Sequence, residues 1–314
     1  MRPSLIIHGG AGSIPVETME PKRAGMRHAL QAGWAILSRA GTALDAVEAA
    51  IVSLEDNPAF NAGVGAQLNR DGRAQLDAIL MDGKSLKAGA VAAVERIRNP
   101  IRLARLIFEK SEHMLLAAAG AEKFAAENGM ALCAPEELVT AAARAAWRNC
   151  LGMPETAADF STGSGTVGAV ALDAEGNLAA GTSTGGTPCK HAGRVGDSPL
   201  IGCGCYVETG AGGVSCTGHG EGIMKIVMAK TAVELLRQAG RDGGESKTML
   251  DAMESGAMSA QGAAEAAVRH LADRTRSTGG LIVLDAEGNP GAAFNTPQMA
   301  HGYVERDGTL RIVF

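Results

Sequence analysis

Hydrophobic and polar positions along the chain follow two periods. Apolar residues recur at helical spacing in Met26, Leu30, Trp34 and Leu37, and again in Leu44, Val47, Ile51 and Leu54, so two amphipathic helices are expected near the start of the chain. Thr42 and Asp45 supply an N-cap pair for the second helix, and Pro58 stops it. Ahead of them, Leu5 to Ile7 form a short apolar run ending in HGGAG, the pattern of a buried strand entering a glycine loop. The stretch FNAGVGAQLNRDGRAQLDAILMDG reads as a loop and then a hairpin turning at Arg70, Asp71 and Gly72, with Ala88 to Val94 as a further small-residue strand. Helices are expected to dominate from about Pro100 to Leu151, and to fill Ile223 to Leu236 and Ala263 to Leu271. Two apolar runs each close on the pentapeptide DAEGN, at Asp173 to Asn177 and at Asp285 to Asn289, so both read as hairpins. Strands and helices come in blocks rather than in strict alternation, which favours sheets covered by helix layers over a doubly wound sheet.

Composition narrows the function classes. The 314 residues are 46% hydrophobic, enough for a sizeable core in one large domain or two closely packed halves. A net charge of −5, scattered without runs, leaves no basic footprint for nucleic acid or membrane, and aromatics at 3% leave few stacking platforms. A small molecule is the expected partner. The cysteines, Cys133, Cys150, Cys189, Cys203, Cys205 and Cys216, show neither CxxC nor secreted-domain spacing, so reduced thiols are expected. The apolar run at residues 5–7 is too short for a signal peptide and no stretch reaches membrane-spanning length, which points to the cytoplasm.

Several motifs invite chemistry and are disposed of by context. HGGAGS lacks the helix that a dinucleotide loop opens directly. GHGEG puts His219 and Glu221 two apart, where a zinc protease needs two histidines four apart. GTSTG matches a nucleophile elbow, yet the glycine- and proline-punctuated GTPCKHAGRVGDSP that follows cannot form the required helix. GRVGDSP taken alone is an ordinary surface turn with a solvated ion pair. Residues 152–165, GMPETAADFSTGSG, are linker-like, and GTVGAVALD follows with the period-two pattern of a strand. Nothing ionisable stands beside Thr166 in sequence. Its hydroxyl would be activated only if its own α-amine were freed, by cleavage after Gly165, because an α-amine with a pKa of about 7.7 to 8.0 is partly neutral at physiological pH. Read by itself, the stretch is more readily a β-branched residue starting a strand.

GTVGAVALD, GNLAAGTSTGG, GRVGDSP and TGHGE nonetheless stand in the order and close spacing of one family. IIHGGAG, LEDNPAFNAGVG, LDAILMDG, GGLIVLD and FNT extend the likeness over nearly the whole chain. The sequence resembles the isoaspartyl peptidase/L-asparaginase family, the plant-type asparaginases among the N-terminal nucleophile hydrolases. That resemblance implies an α+β fold, an αββα sandwich forming one structural domain. It also implies cleavage between Gly165 and Thr166 into an α-subunit, residues 1–165 with the linker at its end, and a β-subunit, residues 166–314.

By the same resemblance Thr166 would be the nucleophile, Thr184 would assist it, and Asn61 would be a further polar contact. Thr217 and the N–H of Gly218 would form the oxyanion hole. Arg194 and Asp197 would hold the α-carboxylate and α-ammonium of the substrate, in a pocket completed by Val195, Gly196, Thr217, Gly218, His219 and Gly220. No cofactor is implied for catalysis. A structural sodium ion is implied on the backbone carbonyls of Leu54, Glu55, Asn57, Phe60, Ala62 and Val64, and the assembly implied is a dimer of αβ pairs. The substrates implied are β-aspartyl dipeptides and L-asparagine. A glycosylasparaginase of the same superfamily typically reads STNG where this chain has STGG, with Gly185 at the changed position. A threonine-type endopeptidase and a homologue that never matures complete the alternatives.

Overall fold

The computed structural model describes residues 1–152, 165–239, 258–305 and 307–314. Most of the linker-like stretch, residues 153–164, therefore lies outside the described residues. The chain opens with β1 (Ser4–Gly12), α1 (Val16–Leu37) and α2 (Ala43–Glu55), followed by β2 (Leu76–Asp82), β3 (Ala88–Val94) and α3 (Pro100–Lys110). After β4 (Leu115–Ala117), α4 (Ala118–Glu127) and α5 (Ala141–Cys150) come β5 (Val167–Leu172), β6 (Leu178–Thr184), β7 (Cys205–Glu208) and β8 (Gly212–Gly218). Helices α6 (Gly220–Ile226), α7 (Met228–Ala239) and α8 (Ala260–Thr275) precede β9 (Gly279–Asp285), β10 (Pro290–Phe294), β11 (Gln298–Val304) and β12 (Leu310–Val313).

These strands form an eight-stranded sheet, ordered β12-β11-β1-β5-β6-β2-β3-β4, and a four-stranded sheet, β10-β9-β8-β7. Pairing is antiparallel except between β3 and β4. The alternation of side chains along each strand explains the layering. Leu5, Ile7, Ala169 and Ala171 face Met26, Leu30, Val47 and Ile51 of α1 and α2. Their neighbours Ile6, Val170 and Leu172 face Val207, Ile282 and Leu284 of the other sheet. Val214, Leu281 and Val283 then meet Val233, Ala264 and Leu271 of α7 and α8. Helices, two facing sheets and helices again make four layers. Each fully buried Leu or Ile contributes about 1.5–3 kcal/mol to holding them together.

The two DAEGN segments fold alike but in different sheets. Asp173 Oδ1 accepts from the N–H groups of Glu175 and Asn177 at 3.0 and 2.9 Å, and Asp285 Oδ1 from those of Glu287 and Asn289 at 3.1 and 2.8 Å. The left-handed glycine in each, Gly176 or Gly288, lets the turn close. Thr42 caps α2 by accepting from Asp45 N–H at 3.1 Å.

Three expectations need correction. Helix α1 begins at Val16 and runs through Pro21; Val16 and Glu17 face solvent, so helical spacing becomes legible only further along. The region from Pro100 to Leu151 is not wholly helical, because Leu115–Ala117 pairs with β3 as an edge strand. The pattern from Ile223 to Leu236 is two helices, broken where Val227 takes a left-handed conformation, φ 49°.

The cysteines depart from expectation as well: Cys150 and Cys189 are joined as a disulfide, their Cα atoms 6.3 Å apart. The cause is packing around one turn. Trp147 of α5 donates Nε1–H to Arg70 O at 3.2 Å. Cys189 N–H bonds Leu68 O at 2.8 Å, and Arg70 N–H bonds Lys190 O at 2.9 Å. Both thiols are thereby brought to the same hairpin. Cys133, Cys203, Cys205 and Cys216 remain free.

Candidate active site

Thr166 sits at the head of β5 and is 8% exposed. Its Oγ1–H donates to Thr184 Oγ1 at 3.1 Å, and Thr184 Oγ1 also accepts from Gly186 N–H at 2.9 Å. The register explains the meeting, since Val167 of β5 lies opposite Ser183 of β6. Asn61 braces the next turn. Its Nδ2 donates to Gly186 O at 2.7 Å, its Oδ1 accepts from Gln67 N–H at 2.8 Å, and its own carbonyl accepts from Gly185 N–H.

Gly165 and Gly10 pack backbone on backbone. A Cβ on Gly10 would meet Gly165 Cα at 2.5 Å, while one on Gly165 would meet Ala11 N at 2.7 Å and Thr217 Oγ1 at 2.8 Å. Only glycine permits this approach, and Gly10 also holds φ +103°. Thr217 Oγ1 accepts from Ala11 N–H at 3.3 Å, which leaves its hydroxyl proton to be donated beside Gly165. Gly218 has φ +136° and lies so close to the start of β9 that a Cβ would meet Gly279 Cα at 2.3 Å and Thr278 O, just before the strand, at 2.7 Å.

One cavity gathers Asn61, Gly165, Thr166, Thr184, Arg194, Asp197 and Gly218, with Ala11, Gly186, Thr187, Pro188 and Ser198. Arg194 holds a forked pair with Glu221, Nε to Oε1 at 2.9 Å and Nη2 to Oε2 at 2.8 Å, which fixes the guanidinium plane and leaves its Nη1 edge to a ligand. Asp197 is buried with Oδ2 lacking a partner among the described residues. Burial pushes its carboxyl up to about 7, against the pull of Arg194. Gly220 makes the clamp compact, since a Cβ there would meet Arg194 Nη2 at 2.8 Å and Asp197 Oδ1 at 2.9 Å. A cation edge and a buried carboxyl with one oxygen left open suit a zwitterion.

The model of the family described as Asparaginase matches residues 1–314. The chain belongs to the asparaginase family. It is 43% identical over 307 residues to an isoaspartyl peptidase/L-asparaginase of Xenopus laevis, covering 98% of this chain and 94% of that protein. It is 42% identical over 301 residues to one of Danio rerio, covering 96% and 91%. It is 41% identical over 314 residues to one of Homo sapiens, covering 99% and 95%.

Of the expected pocket residues, Val195, Gly196, Thr217, His219 and Gly220 fall outside the cavity lining. His219 instead approaches Ser277 Oγ through Nδ1 at 3.1 Å and Glu221 through Nε2 at 3.4 Å. Gly196 lies against Arg194, where a Cβ would meet Nη1 at 2.8 Å. Gly185 has no room for a larger side chain: a Cβ would meet Asn61 Oδ1 at 2.5 Å and Ala66 Cα at 2.8 Å.

Sequence reasoning missed the supports. Glu221 was visible in TGHGE but not as the partner of Arg194. Asp77 of β2 is fully buried, accepts from Ala93 N–H at 2.8 Å through Oδ1, has no hydrogen-bond partner for Oδ2 among the described residues, and faces Lys190 and Arg194; burial raises its pKa despite those cations. Its signal was one acid inside the apolar run LDAILMDG. Lys190 is buried and donates to Gln75 O at 2.7 Å. Under β5, His8 Nε2 meets Ser215 Oγ at 2.9 Å, Ser215 meets Thr182 Oγ1 at 2.6 Å, and Thr182 donates to Gly204 O at 3.0 Å. His8 thus heads a buried row of hydroxyls beneath β5. Burial lowers its pKa to about 3, so it stays neutral. Among the described residues no cluster of three or more His, Cys, Asp or Glu could hold a metal ion, and no helix is long and apolar enough to cross a membrane.

Proposed function

We propose that the protein is a self-processing threonine hydrolase that releases L-aspartate from β-aspartyl dipeptides and from L-asparagine. One observation carries this reading: Thr166, hydrogen-bonded to Thr184, shares its cavity with Arg194 and the unpaired carboxylate of Asp197. Cleavage of the Gly165–Thr166 bond frees the α-amine of Thr166. That amine takes the hydroxyl proton as Oγ1 attacks the β-carbonyl of the substrate. Thr217 and the Gly218 N–H stabilise the oxyanion. The carbon–nitrogen bond breaks, ammonia or an amino acid departs with the proton, and water hydrolyses the β-aspartyl ester to aspartate. Arg194 and Asp197 hold the α-carboxylate and α-ammonium, groups that an internal aspartyl residue of an ordinary peptide lacks.

The same reading gives a cytoplasmic enzyme, a dimer of processed pairs, with a sodium ion on the carbonyls of Leu54, Glu55, Asn57, Phe60, Ala62 and Val64. The tightness of that loop supports the ion. Gly63 and Gly65 take φ +51° and +103°, and a Cβ on Gly65 would meet Phe60 O at 2.8 Å. Glu55 O already accepts from Val64 N–H, so it would offer sodium its second lone pair.

Product analysis tests the reaction. L-Asparagine should give aspartate and ammonia, β-Asp-Leu should give aspartate and leucine, and a glycosylasparagine should be left intact. Cleavage of the glycosylasparagine alone would contradict the assignment.

A further inference from the structure

A second cavity lies across Gly165 from the first and takes no part in the chemistry above. Residues 9–15, the solvent-facing Glu17, Lys22, residues 57–59 and the small residues Ala143 and Ala146 of α5 contribute to its wall. Ala11 and Gly165 line both cavities, so Gly165 is the partition between them. Lys22 is the unusual member of this wall. It is 4% exposed, and its Nζ stands 4.9 Å from the centroid of the Phe60 ring. Phe60 in turn underlies the glycine loop, where a Cβ on Gly9 would meet its Cε1 at 2.5 Å.

Among the described residues no carboxylate pairs with Lys22. Its pKa is lowered to about 8 by burial alone, so most of it remains charged at neutral pH. A buried ammonium without a counter-ion is costly unless something pairs with it. The leaving group of a β-aspartyl dipeptide is an amino acid with a free α-carboxylate, and the cavity behind Gly165 is space beside Thr166 that the Arg194 and Asp197 clamp does not line. Once the chain is cut, Gly165 is no longer bound to Thr166 and the two cavities can join. A mostly apolar wall in which, among the described residues, the buried charge is Lys22 and the acid Glu17 faces solvent suits such a leaving residue, while ammonia from asparagine makes no use of it.

We infer that this cavity is the leaving-group site and that Lys22 binds the α-carboxylate of the departing residue, selecting β-aspartyl peptides with an apolar residue and a free C-terminus. The inference rests on the reading of Thr166 as nucleophile. The test compares kcat/KM of the processed enzyme for L-asparagine, β-Asp-Leu and the C-terminal amide of β-Asp-Leu. The wild type should prefer the acid to the amide by about tenfold or more, the worth of one charge-assisted hydrogen bond. In Lys22→Met the acid-to-amide ratio should fall to near one, and the ratio of β-Asp-Leu to asparagine should fall about tenfold. Lys22→Arg should restore most of both ratios. Acid and amide hydrolysed equally by the wild type, or both ratios unmoved in Lys22→Met, would overturn the leaving-group site while leaving the hydrolase intact. Failure of the wild type on all three substrates would overturn both.

Discussion

Under the proposed mechanism two groups would titrate near neutrality for different reasons, Asp197 through burial and a freed Thr166 α-amine because its ordinary pKa is about 7.7 to 8.0. Burial raises Asp197 to about 7 in the free protein, and it must be ionised to meet a substrate ammonium. Once that ammonium is bound, its charge holds the carboxylate ionised. The amine is needed for the chemical step itself. The pH profile of kcat/KM for L-asparagine should therefore rise with two ionisations near neutrality, whereas kcat should rise with one, that of the amine. Profiles of kcat and kcat/KM that superimpose would remove Asp197 from ammonium binding.

At this scale the motifs TVGAVALD, STGG, GRVGDSP and TGHGE supply Thr166, Thr184, Arg194, Asp197 and Gly218, which the fold brings to one cavity. Their supports are not legible in the sequence. Asp77, Lys190 and Lys22 act through burial, and burial of a single charged residue has no signature in neighbouring positions.

Elements were read well where periodicity and turn chemistry agreed. The β3 span and the two DAEGN turns follow from local residues alone, as does the Thr42 cap. The edge strand β4 and the break at Val227 depend on partners distant in sequence, and the disulfide depends on α5 docking Trp147 against the hairpin at Arg70. That disulfide has a consequence for the subunits, because Cys150 precedes the Gly165–Thr166 bond and Cys189 follows it. Processed protein should run as one band on a denaturing gel without reductant and as two after a dithiol, which takes both electrons' worth of oxidation from the bridge as it forms its own disulfide. Two bands without reductant would show that Cys150 and Cys189 do not tie the halves together.

On the scale of the whole molecule, the four layers put Thr166 at the head of a central strand, directly after Gly165. β5 is held between β1 and β6 in the centre of the larger sheet, so under the proposed mechanism the Thr166 hydroxyl would stay fixed when the bond before it is cut. The block order of strands and helices suggested such layers. Which sheet faces which required the pairing of β1 with β5 and β11, across most of the chain. The central claim is that one threonine is both the site of the cut and the catalyst. N-terminal sequencing of the reduced, denatured protein tests it most directly. The account predicts a second chain of residues 166–314 beginning TVGAVALD, absent from Thr166→Ala along with all amidase activity. A wild-type chain that remains whole from Met1 to Phe314 and hydrolyses L-asparagine at full rate would contradict it, because an amine held in a peptide bond cannot act as the base.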